Sequence, residues 1–283
     1  MIVTPDGVHL HLVEEGLGTP VVLLHAHTMD LRVWDEVVPT LLVEGCRVIR
    51  YDQRGHGRSS SPPSGYRYGD HAADLADVIT RLVDGPANVV GLSRGAGIAL
   101  ELAVRRPALL RSHALVAPLV PDFTLSKEMF ESFRALAQAI RTEGVQPALR
   151  AHWLGHPLIA SAAAIPGVRE RLDAMFNTFP AGEYLASGRD APDRSWKLTD
   201  RLGEIVTPAL VMAGEHETPD FAAMAALLAE TMPASVLEIV TDSGHLVPME
   251  QPRAAARALL TFLGSLDHPG EPAEAALVGP PRA

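Results

Sequence analysis

The chain has 283 residues, 47% hydrophobic and 20% charged, enough for one large globular domain or a domain plus an insert and too apolar for a disordered protein. Its formal charge is −10 and no segment clusters Lys and Arg, so neither nucleic acid nor an anionic membrane surface is an expected partner. One cysteine excludes an internal disulfide. The first residues lack a signal-peptide pattern and no apolar run reaches membrane-spanning length, so the sequence predicts a soluble, cytoplasmic protein.

Residues 8–13 alternate apolar and polar, the pattern of a strand exposed on one face, with His9 and His11 on the same, outer side. Val21-Val22-Leu23-Leu24 is apolar throughout, as a strand buried on both faces of a parallel sheet must be, and it runs into His25-Ala26-His27-Thr28. A helix is expected over residues 30–42 and a strand over Val48-Ile49-Arg50-Tyr51. Cys46 falls in this apolar run, which suits a buried, unreactive thiol. The stretch Asp52-Gln53-Arg54-Gly55-His56-Gly57-Arg58-Ser59 reads as a loop. Residues 70–83 carry Leu75, Val78, Ile79 and Leu82 on one helical stripe.

The β-branched run Asn88-Val89-Val90 then enters Gly91-Leu92-Ser93-Arg94-Gly95, and a helix-forming run follows at once. This is the setting of a nucleophile elbow: a serine at the tip of a tight strand-to-helix turn, flanked two residues either side by glycines where the two backbones meet. Its hydroxyl projects clear of the sheet, and the first helical N–H groups face any oxyanion formed beside it. Ala114-Leu115-Val116 makes a further strand. The βα rhythm stops there, because residues 121–196 offer helical stretches at 127–142 and 167–179 but no strand. Phe130, Phe133, Trp153, Phe176 and Trp196 give that insert much of the chain's aromatic content, the composition of a helical cap. His152 and His156 are spaced i, i+4, yet no metal is expected: the glutamate of a zinc helix is missing and Pro157 ends the segment. Strands resume at 208–214 and 236–240, with Glu215, Glu217 and Asp220 after the first and Ser243-Gly244-His245 after the second. A closing helix over 252–263 precedes a Pro, Ala and Glu-rich stretch, 265–283, that reads as a disordered tail. Repeated βαβ units of this kind predict an α/β fold with a mostly parallel, doubly wound sheet and ligands at the carboxyl ends of its strands.

Four stretches, His25–Thr28, Asp52–Ser59, Gly91–Gly95 and Ser243–His245, occur in an order and spacing that resemble the α/β-hydrolase superfamily over residues 7–264. The similarity is to its small capped members: esterases, enol-lactonases and perhydrolases. It implies an α/β-hydrolase core over 1–120 and 197–264, a helical cap over 121–196, and no cofactor. Two positions depart from the family pattern, Ala26 standing where glycine is usual and Glu217 where aspartate is usual.

A serine hydroxyl needs a base, and an imidazole titrating near neutrality suits the task. His245 fits it best: it follows the last strand at the edge where Ser93 emerges, in the chain order serine, acid, histidine of this fold. The resemblance places the orienting carboxylate at Glu217, with Asp220 and then Asp122 as alternatives, and gives His25 a role bracing its loop. It assigns the oxyanion donors to the backbone N–H of Arg94 and of His27, the latter beside the Cβ that Ala26 adds. The Arg94 side chain is expected to make at most a surface ion pair. These residues together predict a serine hydrolase acting on a carboxylic ester, lactone or thioester of a small hydrophobic molecule. Carbon–carbon bond hydrolysis or perhydrolysis on the same residues is the alternative within enzymes, and a slowly turning-over hydrolase-fold binding protein the alternative outside them.

Overall fold

The computed structural model describes residues 1–188 and 197–267. At the start of the chain β1 (Ile2–Val3) and β2 (His9–Leu10) pair antiparallel, burying Ile2 opposite Leu10 and leaving His9 outside. Seven strands then form one sheet: β3 (Leu12–Glu15), β4 (Thr19–Leu24), β5 (Cys46–Tyr51), β6 (Ala87–Leu92), β7 (Leu110–Val116), β8 (Ala209–Gly214) and β9 (Ser235–Val240). Their order is β3-β5-β4-β6-β7-β8-β9, with only the β3–β5 pair antiparallel. All of β6 and β8 is buried, which explains why these segments read as unbroken apolar runs: helices cover both faces of a parallel sheet. The buried Cys46 lies at the start of β5, where loss of hydration pushes its thiol pKa up.

Helices α1 (Val38–Val43), α2 (Tyr68–Leu82) and α3 (Arg94–Arg105) connect the first parallel strands. The single helix expected over 30–42 is two pieces. Asp30 caps a 3-10 turn, Leu31–Trp34, by accepting from Arg32 N, and α1 starts afresh around Pro39, whose missing N–H suits a first turn. Between β7 and β8 the described residues contain no strand. They hold α4 (Lys127–Glu143), α5 (Val145–Ala148), α6 (Pro157–Ala163), α7 (Val168–Thr178) and α8 (Gly182–Leu185), with a wider turn, Leu149–Trp153, before α6. α9 (Pro219–Thr231), α10 (Val247–Glu250) and α11 (Pro252–Ser265) complete the chain. Ser265 therefore ends a helix rather than opening a tail, while Trp196 and 268–283 lie outside the described residues. No helix among the described residues is long and apolar enough to cross a membrane.

Strands are added to one side of β4 and then to the other, so the connections leaving β4 and β6 part at their carboxyl ends. Such a switch point opens a crevice, and both His25–Thr28 and Ser93 issue into it.

Candidate active site

Ser93 sits between β6 and α3 with φ 53° and ψ −111°, a conformation that L-residues avoid. Neighbouring structure holds it there. Its N–H donates to Val116 O at 2.8 Å, and its carbonyl accepts from Ala96 N and Gly97 N at 3.0 and 3.2 Å. A Cβ at Gly91 would fall on the Gly95 carbonyl, and one at Gly95 on the Leu24 carbonyl, so the approach of β6, α3 and β4 requires both glycines. Arg94 opens α3, so its N–H has no carbonyl one turn back to bond within the helix.

The carboxyl ends of β8 and β9 supply the next two groups. Glu217 Oε2 accepts from His245 Nδ1 at 2.8 Å, with the two side chains 1% and 3% exposed. The other carboxylate oxygen accepts from Thr218 N at 2.7 Å. With Nδ1 committed to the carboxylate, Nε2 is the ring nitrogen left for another partner. The Phe221 ring meets the imidazole edge-on at 4.5 Å between centroids, and Glu250 anchors the loop by accepting from Gly244 N at 2.8 Å and Leu246 N at 2.9 Å. The alternative acids are engaged elsewhere. Asp220 accepts from Ser126 N and Ser126 Oγ at the start of α4, and Asp122 accepts from Leu198 N.

In the loop after β4, His25 accepts from Gln53 N at 2.9 Å through Nε2, and Nδ1 donates to Ala26 O at 2.8 Å, tying this loop to the one after β5. Asp52 and Arg54 fix that second loop in turn: Asp52 accepts from Leu31 N and Arg58 N, and Arg54 forms a buried two-pronged pair with Asp74. Ala26 is buried, and Thr28, at φ 64°, accepts from Trp153 Nε1 at 2.8 Å.

Arg94 corrects the expectation of a surface ion pair, because its side chain is buried. Its guanidinium donates to Glu183 of α8, to His27 Nδ1 at 3.1 Å and to His71 Nε2 at 2.6 Å. Burial pushes the His27 pKa down to about 4, outweighing the pull of Glu183, so the ring is neutral, with Nδ1 accepting and Nε2 donating to Tyr184 OH. Burial would raise the Glu183 carboxyl, but the Arg94 charge wins and holds it below its ordinary value. His152 and His156 have different partners, Glu143 for the first and Ser132 for the second, which also caps α6.

Ser93, His245, His27 and Arg94 line one cavity of about 480 Å³, a size typical of small-molecule sites. Its remaining wall is largely apolar, with Phe130, Phe133, Trp153 and Ile159 contributed by the segment between β7 and β8.

The family model of the α/β-hydrolase fold matches residues 19–252. The chain belongs to the α/β-hydrolase family. Among solved structures of this fold it resembles a thermophilic esterase from Thermogutta terrifontis, with TM-score 0.77, 27% identity and coverage of 93% of this chain and 96% of that one. It is equally similar to the enol-lactonase from Burkholderia xenovorans LB400, with TM-score 0.77, 27% identity and coverage of 93% and 99%. A Bacillus subtilis (strain 168) protein, provisionally named a 2-succinyl-6-hydroxy-2,4-cyclohexadiene-1-carboxylate synthase, is 28% identical over 94% of this chain and 98% of its own. Within this α/β hydrolase, three participants escape a reading of sequence: Glu183, Tyr184 and Glu250. No local motif marks them, since each acts through a residue distant in sequence or through backbone N–H groups of a neighbouring loop.

Proposed function

We propose that the protein is a serine hydrolase that cleaves a carboxylic ester, lactone or thioester of a small hydrophobic molecule through an acyl-enzyme on Ser93. The observation that carries this reading is the buried His245–Glu217 hydrogen bond on the wall of the cavity that Ser93 enters. His245 Nε2 takes the Ser93 proton as Oγ attacks the carbonyl carbon, and the imidazolium so formed is stabilised by Glu217. The tetrahedral oxyanion receives hydrogen bonds from the backbone N–H of Arg94, aided by the positive end of α3, and from that of His27. The imidazolium then protonates the leaving alkoxide or thiolate. Water, deprotonated by the same nitrogen, attacks the acyl-enzyme and releases the acid. The helical segment from α4 to α8 serves as the cap, and its apolar side chains take the hydrophobic part of the substrate.

Intact-mass measurement after exposure to a small alkyl fluorophosphonate tests the assignment, beside a panel of esters, lactones and thioesters. The reading expects one adduct per chain, mapped to Ser93 and absent from Ser93→Ala, with turnover of at least one panel class. Labelling that survives in Ser93→Ala would overturn it.

A further inference from the structure

Arg94 is the residue immediately after the serine and lines the cavity, and its guanidinium lies against two other lining residues, Glu183 and His27, an arrangement that invites a carboxylate-bearing substrate. Glu183 already occupies that position. Its carboxylate pairs with Arg94 Nη1, and the remaining Arg94 contacts go to His27 and His71 rather than outward. His27 is neutral and donates to Tyr184, which contributes no charge at neutral pH. Tyr68, beneath the guanidinium at 6.0 Å, keeps its proton because burial raises its pKa to about 12. His71 is likewise buried neutral, its pKa pushed well down by burial and by Arg94. The inner end of the cavity is thus one cation and one anion in contact, ringed by uncharged donors and acceptors. Arg134 also lines the cavity, but it is solvent-exposed and its charge is screened.

We infer that Glu183 is a specificity-determining residue that makes this site select uncharged polar groups and reject carboxylates beside the reacting carbonyl. A substrate anion there would leave two negative charges and one positive in a buried space, and it would meet an arginine with no unpaired charge to offer. A neutral carbonyl, amide or ether oxygen meets hydrogen-bond donors without that penalty. The inference rests on the hydrolase reading above, and its test separates the two.

The probes are 4-nitrophenyl hydrogen glutarate and methyl 4-nitrophenyl glutarate, which differ in one methyl ester and one charge. The wild-type protein should favour the methyl ester in kcat/KM by about tenfold or more at pH 7.5. Glu183→Gln, which keeps the shape and leaves the Arg94 charge uncompensated, should shift that ratio toward the acid by about tenfold. Arg94→Met, which keeps the backbone N–H and uncovers the Glu183 charge, should shift it the other way. Opposite shifts support the assignment, and either variant that folds reads it alone. A ratio unmoved by both, or by the one that folds, would overturn it, because exclusion by apolar walls alone does not depend on either charge. If neither ester is turned over, the Ser93 adduct and the wider panel still decide the hydrolase reading, and calorimetric Kd values for monomethyl and dimethyl glutarate in the same proteins report the charge ratio independently of it.

Discussion

The Trp153 indole N–H donates to Thr28 Oγ1 across 2.8 Å, joining the helical segment to the loop that carries His27. Trp153 is 3% exposed and its ring packs, tilted, 4.4 Å from that of His156, so it is both wall and structural member. Trp153→Phe removes the hydrogen bond while Thr28 Oγ1 still donates to His27 O, so a stability loss of about 1 kcal/mol is expected. Trp153→Ala should lose about 3–5 kcal/mol through the cavity it leaves. Denaturant titration of the two variants checks the ranking, and similar losses for both would remove the argument that packing outweighs the hydrogen bond.

Phe130 lines the same cavity but is 54% exposed, which separates its two possible duties. Phe130→Ala should cost less than about 1 kcal/mol in stability, since little area is buried. It should weaken kcat/KM for long acyl or alcohol chains by about tenfold while sparing short ones, because a contacted methylene contributes about 0.8 kcal/mol. Equal loss on short and long esters would show that Phe130 does not touch substrate.

Glu217 and Asp220 make a paired test of the acid. Glu217→Gln leaves His245 without a charged partner, so kcat should fall by about 10⁴, the scale seen when a triad acid is amidated. Asp220→Asn weakens the contacts that start α4, at Ser126, and should cost about 1 kcal/mol of stability with kcat nearly unchanged. Steady-state kinetics on both variants decides, and a reversed ranking would move the acid to Asp220.

At Ser93, two substitutions should be equally dead in hydrolysis and unequal in stability. Ser93→Ala retains a Cβ at φ 53° and so retains backbone strain of about 1–3 kcal/mol, which Ser93→Gly relieves. Glycine loses about 0.5–1 kcal/mol through the entropy of the unfolded chain, so it should melt at or above the alanine variant. A Gly variant clearly less stable than the Ala variant would mean the elbow is not strained.

His113, in β7, is buried with neither ring nitrogen hydrogen-bonded, and burial pushes its pKa down to about 4. In the unfolded chain it titrates near 6.5, so between these values the unfolded state binds more protons and stability falls as pH falls. The contribution is whole above pH 6.5 and gone below about 4, and about 2 kcal/mol of it is already lost at pH 5. His113→Leu should be at least as stable at pH 7.5 and lose about that much less on acidification. Urea titrations at pH 7.5 and 5 measure it, and an unchanged pH slope would show that His113 is not a source of the acid sensitivity.

The elbow was readable because its requirements are local: two glycines where backbones touch, a serine between them, an apolar strand before and a helix after. His245 is legible from its place after the last strand, whereas the strand end leaves Glu215, Glu217 and Asp220 open and only the family resemblance points to Glu217, the carboxylate that the three-dimensional arrangement brings to Nδ1. Burial of the Arg94 side chain is not legible in the sequence because its partner lies 89 residues along the chain, in a short helix entered through Ala181 at φ 53°, which no periodicity announces. Glu250 carries no sequence signal because its partners are backbone N–H groups, invisible to residue type. The break in the helix over 30–42 turned on Asp30 bonding its own next turn, a local competition that propensity alone does not resolve.

Ser93, Glu217 and His245 leave the sheet after β6, β8 and β9, so the serine is synthesised early and the histidine only with the last strand. A growing chain that has folded through β6 and α3 carries a hydroxyl and helix-end N–H groups but no base, and a serine without a base is inert. On the proposed mechanism, in which Ser93 attacks and His245 is its base, the sequence order withholds reactivity until β9 and the loop after it are in place.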